Sequence, residues 1–261
     1  MPGKWFIPVR NFTIGCLPRK ESRGLIQVKS FLTIIISVIT GFGLLKAEVS
    51  GKHLFILSGQ SNMARFKPAL WFTPEISKEL GADNVIVSFH AQGGQPISKW
   101  YKEWKSSKGE TDPDAGKIYD AMMEATQTKI DEEKIRTVTF IWMQGEADSK
   151  AQNSDVYLAS LNGLKKQLEQ DLKRTDLNFI IGRLSDSGLY RRRDKKRVEN
   201  PHWEGIRKAQ QSFADASQRA VWIDTDDLNG EKNELHLIKP DGYSMLGERY
   251  VDAALKLLDG K

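Results

Sequence analysis

Cysteine is almost absent from this 261-residue chain: its one instance is Cys16. From residue 48 onward there is none, which excludes disulfides, thiolate catalysis and cysteine-ligated zinc from that portion. Internal repeats, Pro- or Ser-rich linkers and low-complexity tracts are also missing, so one domain is expected rather than two. A basic body is missing too, despite a formal net charge of +5 and a pI of about 9.1. Residues 1–47 hold seven Lys/Arg and one acidic residue, leaving 32 basic against 33 acidic side chains beyond them. That near-neutral body lacks the electrostatic footprint of a nucleic-acid binder, so no nucleic-acid partner is expected.

An apolar run of full membrane-spanning length is lacking as well. The longest, residues 31–45 (FLTIIISVITGFGLL), lies between Lys29 and Lys46 and falls short of the roughly 20 residues a spanning helix needs. Its length, the basic residues ahead of it and the small Ala47 behind it are the features of an export signal. Residues 1–47 are therefore expected to be a signal peptide or a retained N-terminal anchor, with a buried core helix as the bland alternative. Residues 48–261 are expected to form a secreted or periplasmic domain, touching membrane only if the 31–45 segment is kept.

Beyond residue 52, short apolar runs alternate with longer amphipathic ones, the pattern of an α/β domain with a mostly parallel sheet. The runs predict strands over 53–57, 84–89, 137–142, 178–183 and 220–223, and helical periodicity predicts helices over 115–130, 155–172, 203–216 and 242–258. Residues 106–116 (SSKGETDPDAG) have the composition of a surface loop. The basic run 190–200 (YRRRDKKRVEN) reads as another loop. Such a run is usually a solvated face; its functional alternative is attraction of an acidic substrate such as a uronate-bearing or sulfated glycan.

The first strand leads directly into Ser58-Gly59-Gln60-Ser61-Asn62-Met63, which places Ser61 at a strand-to-helix turn on the carboxyl edge of the sheet, where ligands of parallel α/β folds gather. A serine there is either a nucleophile beside free N–H groups or a simple helix cap. A nucleophilic hydroxyl needs a base, and position sorts the four histidines. His53 opens the first strand at the amino edge. His202 opens a helix and suits capping or the surface. His90, ending the second strand, is a possible substrate contact. His236, between the last strand and the last helix, returns to the edge that carries Ser61 and is the preferred base. Gly93-Gly94 and Gln144, after the second and third strands, could supply oxyanion donors, although a glycine pair is also an ordinary tight turn.

Several blocks together resemble a known family. GQSNM (59–63), Gly93-Gly94 followed by Trp100, WMQGEAD (142–148), WEGIRKAQ (203–210), and Leu235-His236 with Gly242 and Gly247-Glu248-Arg249 resemble the sialate O-acetylesterase and acetylxylan esterase branch of the SGNH hydrolases, as in carbohydrate esterase family 6. The resemblance spans the chain from about residue 52. It implies a three-layer α/β/α sandwich with a five-stranded parallel sheet, no metal or organic cofactor, and an acetylated carbohydrate such as xylan or sialic acid as substrate. It also implies Ser61 as nucleophile, His236 as general base, and an oxyanion hole formed by Ser61 and Gly93-Gly94 N–H groups with the Gln144 amide. Gln60, Asn62, His90 and Trp100 are expected substrate contacts.

One position departs from the family pattern. Where an aspartate commonly stands three residues before the histidine, this chain has Asn233. An amide can fix the imidazole tautomer but supplies no charge. Glu146 is the substitute acid expected, with Glu234 behind it; the structural alternative for Glu146 is a carboxylate that ties loops together. Trp100, Tyr101 and Trp104 could stack on sugars at the rim or pack inside. Two other readings stand beside the acetylesterase: an SGNH esterase of lipid or aryl esters, and a glycan-binding protein on an impaired esterase scaffold.

Overall fold

In the computed structural model, the described residues are 50–193 and 196–260; the expected export segment, 1–47, lies outside them. Seven strands alternate with eight helices among these residues: β1 (Lys52–Gly59), α1 (Ser61–Arg65), α2 (Pro68–Trp71), α3 (Thr73–Leu80), β2 (Val85–Ala91), α4 (Lys117–Ile130), β3 (Ile135–Met143), α5 (Glu146–Lys150), α6 (Ser154–Asp171), β4 (Asn178–Gly182), β5 (Tyr190–Arg193), β6 (Lys196–Glu199), α7 (Pro201–Asp215), β7 (Ala220–Ile223) and α8 (Gly242–Leu258). β1 is buried from His53 to its end, as a parallel strand covered on both faces must be.

Five strands form one sheet in the order β2-β1-β3-β4-β7, and every pair in it is parallel. Successive residues of a strand point to opposite faces, and the packing follows that rule. Leu54, Ile56, Val138, Phe140 and Phe179 join a core with α4, α6 and α7 through Met122, Leu161 and Ile206. Phe55, Leu57, Ile141 and Ile180 join a second core with the α1–α3 segment and α8 through Met63, Phe72 and Leu246. The result is the expected α/β/α sandwich. Its strand order reverses between β1 and β3, and a crevice opens beyond the carboxyl ends of strands at such a point.

The four long predicted helices are found within one or two residues of their expected bounds, and 220–223 is a strand to the residue. The basic run differs. Instead of a loop it forms an antiparallel hairpin, β5 with β6, pairing Tyr190 with Glu199 and Arg191 with Val198. No alternating apolar residues mark it, because neither face enters a core; its cross-strand stabilisation includes the Arg197 guanidinium, 3.6 Å from the centroid of the Tyr190 ring. Among the described residues no helix is long and apolar enough to cross a membrane.

Candidate active site

The β1-to-α1 turn depends on Gly59. Its φ is 148°, and a Cβ there would lie 2.0 Å from the Met143 carbonyl oxygen, so only glycine lets the end of β1 seat against β3. The Gln60 N–H then donates to that carbonyl at 2.9 Å, and Ser61, half-buried, starts α1. The first N–H groups of a helix lack intrahelical acceptors. With only five residues in α1 the aligned dipole is small, so this turn can offer an anion individual N–H donors more than a macrodipole. Gly93 stands over the serine, where an added Cβ would be 3.8 Å from the Ser61 Cβ; Gly94, at φ 72°, has nothing within 4 Å of that position. The glycine turn is thus open and adjacent to the hydroxyl.

Behind Ser61 lies a buried polar network that the sequence did not reveal. Gln144 is completely buried, and its Nε2 donates to Gln60 Oε1 at 3.1 Å, the Gln95 carbonyl at 2.9 Å and Asp148 Oδ2 at 2.6 Å. Two N–H groups serving three internal acceptors leave none for an acyl oxygen. Gln144 is therefore corrected from an oxyanion donor to a positioning residue, which fixes the loop carrying Gly93-Gly94 through Gln95. Asp148 adds a second tie by accepting from the Ile97 N–H at 2.8 Å. The available clue to Asp148 was its place in the WMQGEAD block.

Gln60 and Asn62 are likewise corrected from substrate contacts. Gln60 Oε1 also accepts from the Ala147 N–H at 3.1 Å, and Gln60 is buried. Asn62 uses all of its capacity internally. Its Nδ2 donates to Glu146 Oε1 and to the Leu235 carbonyl, both at 3.1 Å, and its Oδ1 accepts from the Leu237 N–H at 3.3 Å and the Tyr243 hydroxyl at 3.1 Å. Trp100 is fully buried, with Nε1 donating to Ser58 Oγ at 2.9 Å and its ring packed edge-on against Trp142. It is a core residue, and Trp104 is buried as well. His90 remains half-buried near the carboxyl end of edge strand β2, its carbonyl accepting from Ser58 Oγ at 2.6 Å.

Asn62 also explains where His236 sits, because it binds the residues on both sides of the histidine. The 235–237 segment is thereby tied to the neighbour of Ser61. No hydrogen bond joins the Ser61 hydroxyl and the imidazole among the described residues. Burial, reinforced by the Arg65 guanidinium, holds His236 below its ordinary pKa, so the imidazole is neutral and able to accept a proton at neutral pH. Arg65, at the end of α1, carried no sequence signal of this role. His53 and His202 lie elsewhere: His53 pairs with Thr137 Oγ1 at the amino end of β1, and His202 with Ser154 Oγ between two helix starts.

None of the three candidates for the third residue bonds the imidazole. Asn233, at φ 54°, directs its Oδ1 to the Asn229 amide. Glu146 is buried with Oε1 on Asn62 and Oε2 unpaired; burial, opposed by the Asn62 hydrogen bond and aided by the nearby Asp148, raises its pKa to about 7. Burial likewise raises Asp148 to about 7. Glu146 is linked to the His236 segment through Asn62, which makes it a positioning residue in this geometry. Glu234 turns back over Gly230, with Oε2 buried and unpaired.

Residues 64–256, which include His236, Glu146 and the glycine pair, match the family model described as carbohydrate esterase, sialic acid-specific acetylesterase. The chain belongs to that family. No curated protein matches this esterase-family chain in sequence. Among solved structures it is similar to a protein from Arabidopsis thaliana at 19% identity and a TM-score of 0.57, over 80% of this chain and 99% of that one. It is also similar to a carbohydrate acetylesterase from Xanthomonas citri, at 15% identity and a TM-score of 0.55, over 81% of this chain and 57% of that one. An aryl esterase from M. smegmatis aligns at 12% identity and a TM-score of 0.51, over 79% and 100% of the respective chains. At such identities the likeness establishes a shared fold.

Proposed function

We propose that this chain is an exported O-acetylesterase of carbohydrate that works through an acyl-serine. The observation that carries this reading is convergence around one turn: Gly93 lies against Ser61 while Asn62 binds both flanks of His236. In the reaction, the His236 imidazole takes the Ser61 proton as the oxygen attacks the acetyl carbonyl. The Ser61 and Gly93-Gly94 N–H groups hold the tetrahedral oxyanion, and the imidazolium returns its proton to the departing sugar hydroxyl. Water activated by His236 then releases acetate and frees the serine. Family membership supports ester hydrolysis; acetylated xylan and O-acetylated sialic acid are the substrates this reading places first.

A second reading, a glycan binder without turnover, is favoured by the missing carboxylate partner of His236. Hydrolysis of 4-nitrophenyl acetate separates the two. Turnover by the wild-type chain should fall by at least ~1,000-fold in both Ser61→Ala and His236→Ala, because members of one catalytic unit are not additive. Activity that survives Ser61→Ala would remove the serine from the mechanism, and an inert wild type would favour the binder.

A further inference from the structure

We infer that the β5/β6 hairpin and the loop at Lys232 form a subsite for an acidic group of the glycan, a uronate carboxylate or a sulfate, so that the substrate is an O-acetylated acidic polysaccharide. This rests on the carbohydrate-esterase reading and narrows it. A cavity of about 540 Å³ opens between the hairpin and the loop that leads to His236. Among the described residues, Arg191, Arg197 and Lys232 line it, with Asp186 the one carboxylate; Ser187, Tyr190 and Asn233 complete the described walls. The described lining therefore carries a net positive charge, in a body that is otherwise close to neutral.

These cations differ from the arginines that are engaged in ion pairs elsewhere. Arg174, Arg183, Arg207 and Arg249 each hold an aspartate within 2.8 Å. Among the described residues, Arg191, Arg197 and Lys232 take part in no ion pair. Arg197 is also positioned: its guanidinium lies over the Tyr190 ring, which occupies one face of the planar group and leaves its N–H edges available for a carboxylate or sulfate. Tyr190 is itself exposed, presenting an aromatic surface to a sugar.

Position ties this cavity to the reaction. Asn233 is in its wall, and three residues of chain reach at most about 11 Å, so the cavity lies within a short oligosaccharide's length of His236. An acidic sugar seated here would place the ester of a nearby residue at Ser61. The cations would act on binding more than on chemistry, because they bracket a part of the substrate that does not change charge during acyl transfer.

The test uses the full chain and three acetylated probes matched in chain length: oligogalacturonate, a sulfated oligosaccharide and neutral xylo-oligosaccharide. Wild type should prefer one or both acidic probes, and added salt should weaken that preference through KM. In the combined Arg191→Gln, Arg197→Gln, Lys232→Gln variant, the acidic-to-neutral ratio of kcat/KM should fall by about tenfold or more. The acidic probe that loses most identifies the group recognised. Calorimetric titration of Ser61→Ala with deacetylated oligogalacturonate and its sulfated counterpart reads the subsite without turnover; micromolar binding to either that disappears with the cations would support it even if esterase activity failed. Equal kcat/KM on acidic and neutral probes in both proteins, or equally tight binding of single-stranded DNA or phosphatidylglycerol vesicles, would overturn it.

Discussion

The proposed nucleophile and its proposed base are delivered by two segments that are held in very different ways. Ser61 follows a strand buried along its length, behind a glycine pressed onto β3, with Gln60, Gln144 and Asp148 locked in a solvent-free network beneath it. His236 sits in a loop where Leu235 and Ile238 are exposed and Leu237 alone is anchored in the core, and Asn62 is the polar tie between that loop and α1. The difference teaches that the serine and the glycine turn are prepared before substrate arrives, whereas the imidazole has room to adjust. That is consistent with the missing Ser61–His236 hydrogen bond, since catalytic contacts often tighten only in the substrate complex.

This contrast is most easily broken at Asn62. Asn62→Ala removes four hydrogen bonds and leaves Glu146 without its partner, so it should destabilise the protein by about 2–4 kcal/mol. Turnover of 4-nitrophenyl acetate should fall by about 100-fold as the base loop loses its tie. Urea unfolding and steady-state kinetics read the two effects; a loop fixed independently of Asn62 would leave turnover near the wild-type value.

Glu146→Gln sharpens the other side of the contrast. A buried carboxyl raised from 4.5 to about 7 is neutral in both folded and unfolded chains below pH 4.5. It weakens the fold as pH rises from there to 7, because the unfolded chain ionises first. The amide cannot ionise, so the variant should gain up to ~3 kcal/mol relative to wild type across that window and level off above it, with Asp148 still supplying a slope of the same sign. Parallel stability curves from pH 4 to 8 would show that Glu146 is not buried in the way described. Its turnover should change by less than about tenfold, since Glu146 acts on His236 only through Asn62.

The smallest effect belongs to Arg65→Gln. Burial would still hold the imidazole down, but one cation would be gone, so the acid limb of the kcat/KM profile should move to higher pH. An unmoved limb would mean that another group controls it.

Much of this was legible in the sequence. The sheet strands announced themselves because apolar runs of four to six residues between amphipathic segments have few other solutions, and the carboxyl-edge rule then selected Ser61 and His236 from their places in the chain. Side-chain direction was not legible. Gln60, Asn62, Gln144 and Trp100 were expected as site residues from their places in the chain and from the family resemblance, yet each turns inward to satisfy another buried group, and no periodicity encodes that choice. The β5/β6 hairpin escaped notice because it buries almost nothing and so leaves no hydrophobic pattern. Asn233 stood out against the expected family pattern, but its left-handed backbone and its bond to Asn229 appear only in three dimensions.

Gly59 has a consequence for how such a protein can diversify. Because the end of β1 rests on the β3 backbone with no side chain between them, the reactive turn is fixed by the sheet and not by the loops around it. Insertions, charge changes or remodelling at the rim can therefore accumulate without disturbing the seat of the hydroxyl. A library aimed at new glycans would vary the hairpin and the 230–235 stretch while leaving 59–61 and 143–148 untouched.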